Sequence, residues 1–220
     1  MRALLYFDRG RIPETDAAVA RAFAIERSVK VMLFRSFLLV IWHGDPEGAR
    51  KLLAEVPSEM LAEDLPASAR YFVELWSGKP DQAVAAIRAV PRDFIESHFL
   101  TGPVGYYRGF ALARAGKRAA AEVEWRSALV VVQRELAARP NEERLLNALA
   151  LLQWELGDRP AALKVWQTIQ ELFAARSFRG WDNYFLQMTV LPEEEAIAKL
   201  DLRGLSGVSG LAAHLRLDPY

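Results

Sequence analysis

Cysteine is absent from the 220 residues. That excludes a disulfide framework and any thiolate-held metal. Net charge is also missing, because 28 Lys and Arg offset 28 Asp and Glu. A general nucleic-acid binder needs an excess of cations to neutralise phosphates, so no nucleic-acid partner is expected. Histidine is scarce: His43, His98 and His214 stand far apart and show no metal-ligand spacing, and no metal site is expected. The most apolar run, Val31 to Trp42, is broken by Arg35 and falls short of the ~20 residues a membrane helix requires. The opening stretch MRALLYFDRG is too short for a signal-peptide core. These absences lead to an expectation of a cytoplasmic protein with no membrane partner.

What is present is apolar and helical. Hydrophobic residues make up 52% of the chain, too many for a disordered one. Runs of β-branched residues are rare, Leu129 to Val132 being the exception. Apolar residues recur at spacings of three and four in Ala17 to Trp42, Ala119 to Leu136, Leu145 to Leu156 and Ala161 to Phe173, as on one face of a helix. Breakers separate these stretches: Gly44-Asp45-Pro46, Gly78-Lys79-Pro80, Gly116-Lys117 and Gly157-Asp158-Arg159-Pro160. Glycine suits a left-handed helix stop, and proline suits a first helical turn.

The breakers repeat. Gly44 and Gly78 are 34 residues apart, Gly116 follows after 38 and Gly157 after 41, and each is followed five residues later by an alanine: Ala49, Ala83, Ala121 and Ala162. A further 34-residue step reaches Ala196, and a step back from Gly44 reaches Gly10, where the small residue comes late, at Ala17. Gly109 and Ala150 stand seven before their turn glycines, and Trp125 and Trp166 four after the small alanines. On these residues the chain resembles the tetratricopeptide repeat family, whose unit is two antiparallel helices of 34 residues in all. The resemblance spans nearly the whole chain. Phe37 and Tyr71 depart from it where a small residue is usual, Pro57 and Pro91 shorten two second helices, and the third unit has a long second helix reaching about Ala138.

The resemblance implies an all-α fold, a right-handed α-solenoid of antiparallel helix pairs. Residues 1–200 form the array, about five to six pairs with the first one partial. Residues 201–220 form a glycine-rich connector and C-terminal extension ending in Asp218-Pro219-Tyr220. That ending is similar to the segment after repeat arrays in bacterial multidomain signalling proteins, so the chain is expected to be part of a longer protein.

No constellation for catalysis emerges. There is no G-x-S-x-G, and Gly204, Gly207 and Gly210 lack the Gly-Lys-Ser/Thr of a phosphate loop, so they read as a connector. Glu142 and Glu143 after Asn141, and Glu193 to Glu195 after Pro192, read as helix starts favoured by the dipole. Gly102 and Gly105 read as the beginning of a helix. No enzyme activity and no cofactor are expected.

In the family the first helix of each pair lines the inner groove. Counting back from each turn glycine places Phe34, Leu38, Phe72, Trp76, Tyr106, Phe110, Arg114, Asn147, Leu151 and Trp154 on that groove. Ser68 and Glu155 share those offsets. The groove so assigned is aromatic at its N-terminal end and polar at the other. It lacks the Lys and Asn with which some family members grip a C-terminal carboxylate. It suits a protein or peptide partner with an apolar or amphipathic segment, or a neighbouring domain of the same protein. The expected role is a non-catalytic interaction scaffold, with a regulatory or ligand-sensing array of a signalling protein as the alternative.

Overall fold

A computed structural model describes residues 11–97 and 100–172, with Ile41 described by its backbone alone. His98, the last unit around Ala196, the glycine-rich connector and His214 lie outside the described residues. Among those residues the chain forms nine α-helices and one two-stranded hairpin. In order they are α1 (Ile12–Ile25), α2 (Val29–Ile41), α3 (Pro46–Leu53), α4 (Asp64–Trp76), α5 (Pro80–Arg88), β1 (Phe94–Glu96), β2 (Thr101–Pro103), α6 (Val104–Arg114), α7 (Arg118–Ala138), α8 (Glu143–Glu155) and α9 (Arg159–Leu172).

The four breakers are tight turns. Gly44, Gly78, Gly116 and Gly157 have φ of 62°, 70°, 73° and 87°, the left-handed conformation that closes a helix without a Cβ clash. Proline then opens α3 and α5 in their first turns. The Asp45 carboxylate caps α3 by accepting the Gly48 N–H at 2.8 Å, and Asp158 caps α9 by accepting from Ala161 at 3.2 Å. Each turn folds one helix back on the next, so α2–α3, α4–α5, α6–α7 and α8–α9 pack as helical hairpins. The first long apolar stretch is two helices rather than one, because Glu26 to Ser28 leave the helical conformation.

The predicted small residues lie in the interior. Ala49, Ala83, Ala121 and Ala162 are all fully buried. Gly109 faces Trp125 so closely that a Cβ there would lie 2.3 Å from the indole Nε1. Trp125 is itself fully buried and donates from Nε1 to the Tyr106 carbonyl at 3.3 Å. It links the two helices of its pair through packing and a hydrogen bond together.

The core runs along the chain. A large cluster extends from Ala67 on α4 to Ile169 on α9, and a smaller one joins Met32 and Leu33 on α2 to Leu52 and Leu53 on α3. Helix α4 is buried on two faces, with Ala67, Tyr71 and Leu75 in the large cluster and Ala69 and Val73 in the smaller. An amphipathic surface helix buries one stripe; α4 is therefore sandwiched between helix pairs.

The described residues are mostly helical, in keeping with the all-α expectation, and one small hairpin is added to the helices. Phe94 pairs with Pro103, Ile95 with Gly102 and Glu96 with Thr101, antiparallel. Gly102 thus belongs to a strand, whereas Gly105 does lie in the first turn of α6. The cause is local. Pro91 cannot donate to a continuing helix, and Phe94, Ile95 and Thr101 favour extended backbone. Ile95 and Leu100 then join the large core cluster.

Candidate functional site

Helices α2, α4 and α6 are each followed by a turn glycine and each carry aromatic residues on one face. Their rings form an unbroken chain. Trp76 meets Phe37 at 5.7 Å between centroids, Phe37 meets Phe72 at 5.8 Å, and Phe72 returns to Trp76 at 5.3 Å. The chain continues from Phe72 to Tyr71 at 6.0 Å, Tyr71 to Tyr107 at 5.8 Å, Tyr107 to Tyr106 at 5.1 Å and Tyr106 to Phe110 at 6.5 Å. Four of these contacts have interplanar angles of 67–72°. Edge-to-face packing of this kind sets positive ring edges against negative ring faces. Seven rings on three helices therefore form one continuous contact network.

Two of the seven anchor the others. Tyr71 and Tyr106 are buried, and the Tyr71 hydroxyl donates to the Tyr107 carbonyl at 2.9 Å. Burial pushes the Tyr71 hydroxyl well above its ordinary range, and the nearby Arg114 charge offsets only part of that. The group stays protonated and keeps its donor role. Phe37, Phe72, Trp76, Tyr107 and Phe110 remain partly exposed.

The hairpin walls one end of this face. Ser97 Oγ lies 2.8 Å from Ser68 Oγ on α4, and the Asp64 carboxylate accepts the Glu96 N–H at 2.9 Å and pairs with Arg92. The Tyr107 hydroxyl donates to the Thr101 carbonyl at 2.9 Å, and Arg144 on α8 donates to Thr101 Oγ1 at 2.8 Å. One short hairpin thus ties the starts of α4, α6 and α8. Ser68, which shares a groove offset, is buried under it.

The ten groove residues divide by exposure. Phe34, Phe72, Trp76, Phe110 and Trp154 are partly exposed and Arg114 is exposed. Leu38, Tyr106, Asn147 and Leu151 are buried, at 1%, 7%, 2% and 5% exposure. Those four are packed in the interior and are not presented to solvent. Phe34 and Trp42 pack around Leu38 and Val19 with Phe37 and Trp76, so the first rings share a small core with α1. Trp154 stands apart, covered by the Arg159 guanidinium at 4.8 Å.

The groove offsets pass over Phe37, Tyr71 and Tyr107. Two of these are the residues that depart from the small-residue position. That departure is the signal that could have found them, since a ring in place of Ala or Gly must point into a space shared with a neighbouring unit.

Polar groups mark the far side. Asn147 Oδ1 is buried and accepts no hydrogen bond, a state that costs about 1–3 kcal/mol unless a bound group satisfies it. Glu155 ends α8 and is held by Arg118 from α7 at 3.2 Å. Burial raises its pKa above 4.5, while the Arg118 charge and hydrogen bond pull it down.

Among the described residues no group of three His, Asp or Glu side chains could hold a metal ion. Among the same residues no helix is long and apolar enough to cross a membrane. No family model matches the chain and no curated protein matches it.

Proposed function

We propose that the chain is a tetratricopeptide-like array, a right-handed solenoid of helix pairs, and that it works in the cytoplasm as a non-catalytic scaffold. Its aromatic face takes an apolar or amphipathic segment of a protein partner. The observation that carries this reading is the unbroken ring chain from Trp76 to Phe110. Large rigid aromatics bury much area at little cost in side-chain entropy, which is why they dominate binding hot spots. The exposed Arg114 supplies a polar contact at the edge, as such sites use to fix orientation. The repeated turn and alanine spacing supports the solenoid, because stacked pairs expose their first helices on one side.

The test is a double substitution. Peptides selected from a displayed library of amphipathic sequences should bind the parent protein. Phe72→Ala with Phe110→Ala should weaken that binding tenfold or more, about 1.4 kcal/mol, while far-ultraviolet circular dichroism stays native. Equal affinity would remove these rings from the site. Loss of helicity would assign them to the core.

A further inference from the structure

We propose that helix α1 is a detachable cover on the N-terminal end of the aromatic face, hinged at Glu26 to Ser28, and that a partner helix binds there by displacing it. The inference rests on the reading of that face as a binding site and names its regulation.

Three observations carry it. The first is what α1 covers. Val19 on α1 and Leu38 on α2 form one small buried cluster, and Phe34, Phe37, Trp42 and Trp76 pack against it. Phe37 and Trp76 are also the first links of the ring chain, so α1 lies over one end of that chain. The second is how little holds α1. Of its 14 residues only Thr15 and Val19 are buried, against seven of 13 in α4. Its seam with α2 has three layers. Asp16 meets His43 in an exposed contact at 3.0 Å, Val19 joins Leu38, and the Phe23 ring lies 4.7 Å from the Arg35 guanidinium. Only the middle layer is apolar on both sides. Arg35 is half-buried and makes no ion pair among the described residues, and a buried charge without an ionic partner weakens a seam. The third is the hinge. Glu26 and Ser28 are extended, with φ and ψ of −149° and 123° and of −69° and 149°. Arg27 between them stacks on Phe23 at 4.7 Å and pairs with Glu55 just past α3. The ion pair pins the hinge to the array, so α1 can swing while α2 stays in place.

A cover of this kind lowers apparent affinity without touching the partner. A partner binds with its intrinsic affinity reduced by the fraction of molecules in which α1 is open. Elements with few buried apolar groups are the ones that open locally while the rest of a fold stays protected. An amphipathic helix that fills the ring cluster more completely than Val19 does therefore displaces α1.

Hydrogen exchange and binding on the full chain test this, with an amphipathic library peptide selected on the parent as the probe. In the free protein the amides of Val19 to Phe23 should exchange at least tenfold faster than those of Leu33 to Phe37. Saturating peptide should speed exchange in α1 a further tenfold and slow it in α2 and α4. An end that merely frays has no reason to respond to the peptide. Unchanged or slower exchange in α1 on binding would overturn the proposal. The absence of cysteine permits a lock as a second arm. Asp16→Cys with His43→Cys, joined by a short bis-maleimide, should bind the peptide at least tenfold more weakly than the same variant capped with N-ethylmaleimide. Val19→Asn loosens α1 and leaves the rings intact, and it should bind the peptide at least fivefold more tightly than the parent. Equal affinity of the locked and capped chains would overturn the cover. Weaker binding by Val19→Asn would overturn it too, by making α1 part of the site.

The two readings fail separately. If no library peptide binds any of these chains, while α1 exchanges faster than α2 and the lock slows it, the scaffold reading sinks and the detachable helix stands. If peptides bind the locked and capped chains equally, and Phe72→Ala with Phe110→Ala removes that binding, the cover sinks and the scaffold stands.

Discussion

The Tyr71 hydroxyl donates to the Tyr107 carbonyl at 2.9 Å, and the two rings meet edge to face at 5.8 Å and 72°. One residue of α4 thus joins one of α6 by both a polar and an aromatic contact. This pair welds the ring cluster of α2 and α4 to that of α6.

Tyr71→Phe keeps the ring and removes the donor. It should cost about 1 kcal/mol, the net worth of one buried hydrogen bond, read as a lower urea midpoint with an unchanged slope. An unchanged midpoint would mean the bond does not hold the two helices.

Gly109→Ala places a methyl group 2.3 Å from the Trp125 Nε1. The indole is fully buried and has nowhere to retreat. Overpacking of this kind costs about 1–3 kcal/mol, and the near-ultraviolet signal of the tryptophans should change with it. A variant as stable as the parent would show that α6 and α7 can move apart freely.

Asp64→Asn tests the hairpin as a strap. The carboxylate holds both the Glu96 N–H and Arg92. Removing its charge should speed amide exchange at Ile95 and Glu96 while the helices keep their protection. Exchange slowed or unchanged in the hairpin would place the anchor elsewhere.

Glu155 makes stability depend on pH in a defined direction. Its folded pKa is raised above 4.5 by burial, so the folded state holds a proton that the unfolded state has released. Its contribution is fully present below pH 4.5 and is lost as pH rises through the folded pKa. The melting temperature of the parent should therefore fall relative to Glu155→Gln as pH rises from 4 towards neutrality. A constant difference across that range would contradict the shift.

Much of this architecture is legible in particular residues. Gly44, Gly78, Gly116 and Gly157 mark turns because only glycine takes a positive φ cheaply, and Ala49, Ala83, Ala121 and Ala162 mark buried positions on the second helices. Pro57 and Pro91 correctly announce short second helices, α3 and α5. The hairpin escapes this reading, because three-residue strands carry almost no periodicity. Its trace is the extension of the repeat from 34 residues to 38 between Gly78 and Gly116. The face is legible only in part. A fixed offset from a turn finds which side of a helix a residue occupies, but not how deeply its neighbours bury it. So Leu38, Tyr106, Asn147 and Leu151 share offsets with exposed residues yet are themselves buried. Phe37 and Tyr71 look like faults in the repeat pattern and prove to be links in the ring chain.

The most direct measurement maps a bound peptide on the protein by nuclear magnetic resonance. Helix α7 provides an internal rival, because Val123 and Val130 are each 66% exposed and offer a second apolar surface. If the aromatic face is the binding site, titration with a selected amphipathic peptide shifts the resonances of Phe72, Trp76, Tyr107 and Phe110 and leaves Val123 and Val130 unmoved. Shifts centred on Val123 and Val130, with the rings unchanged, would contradict the account.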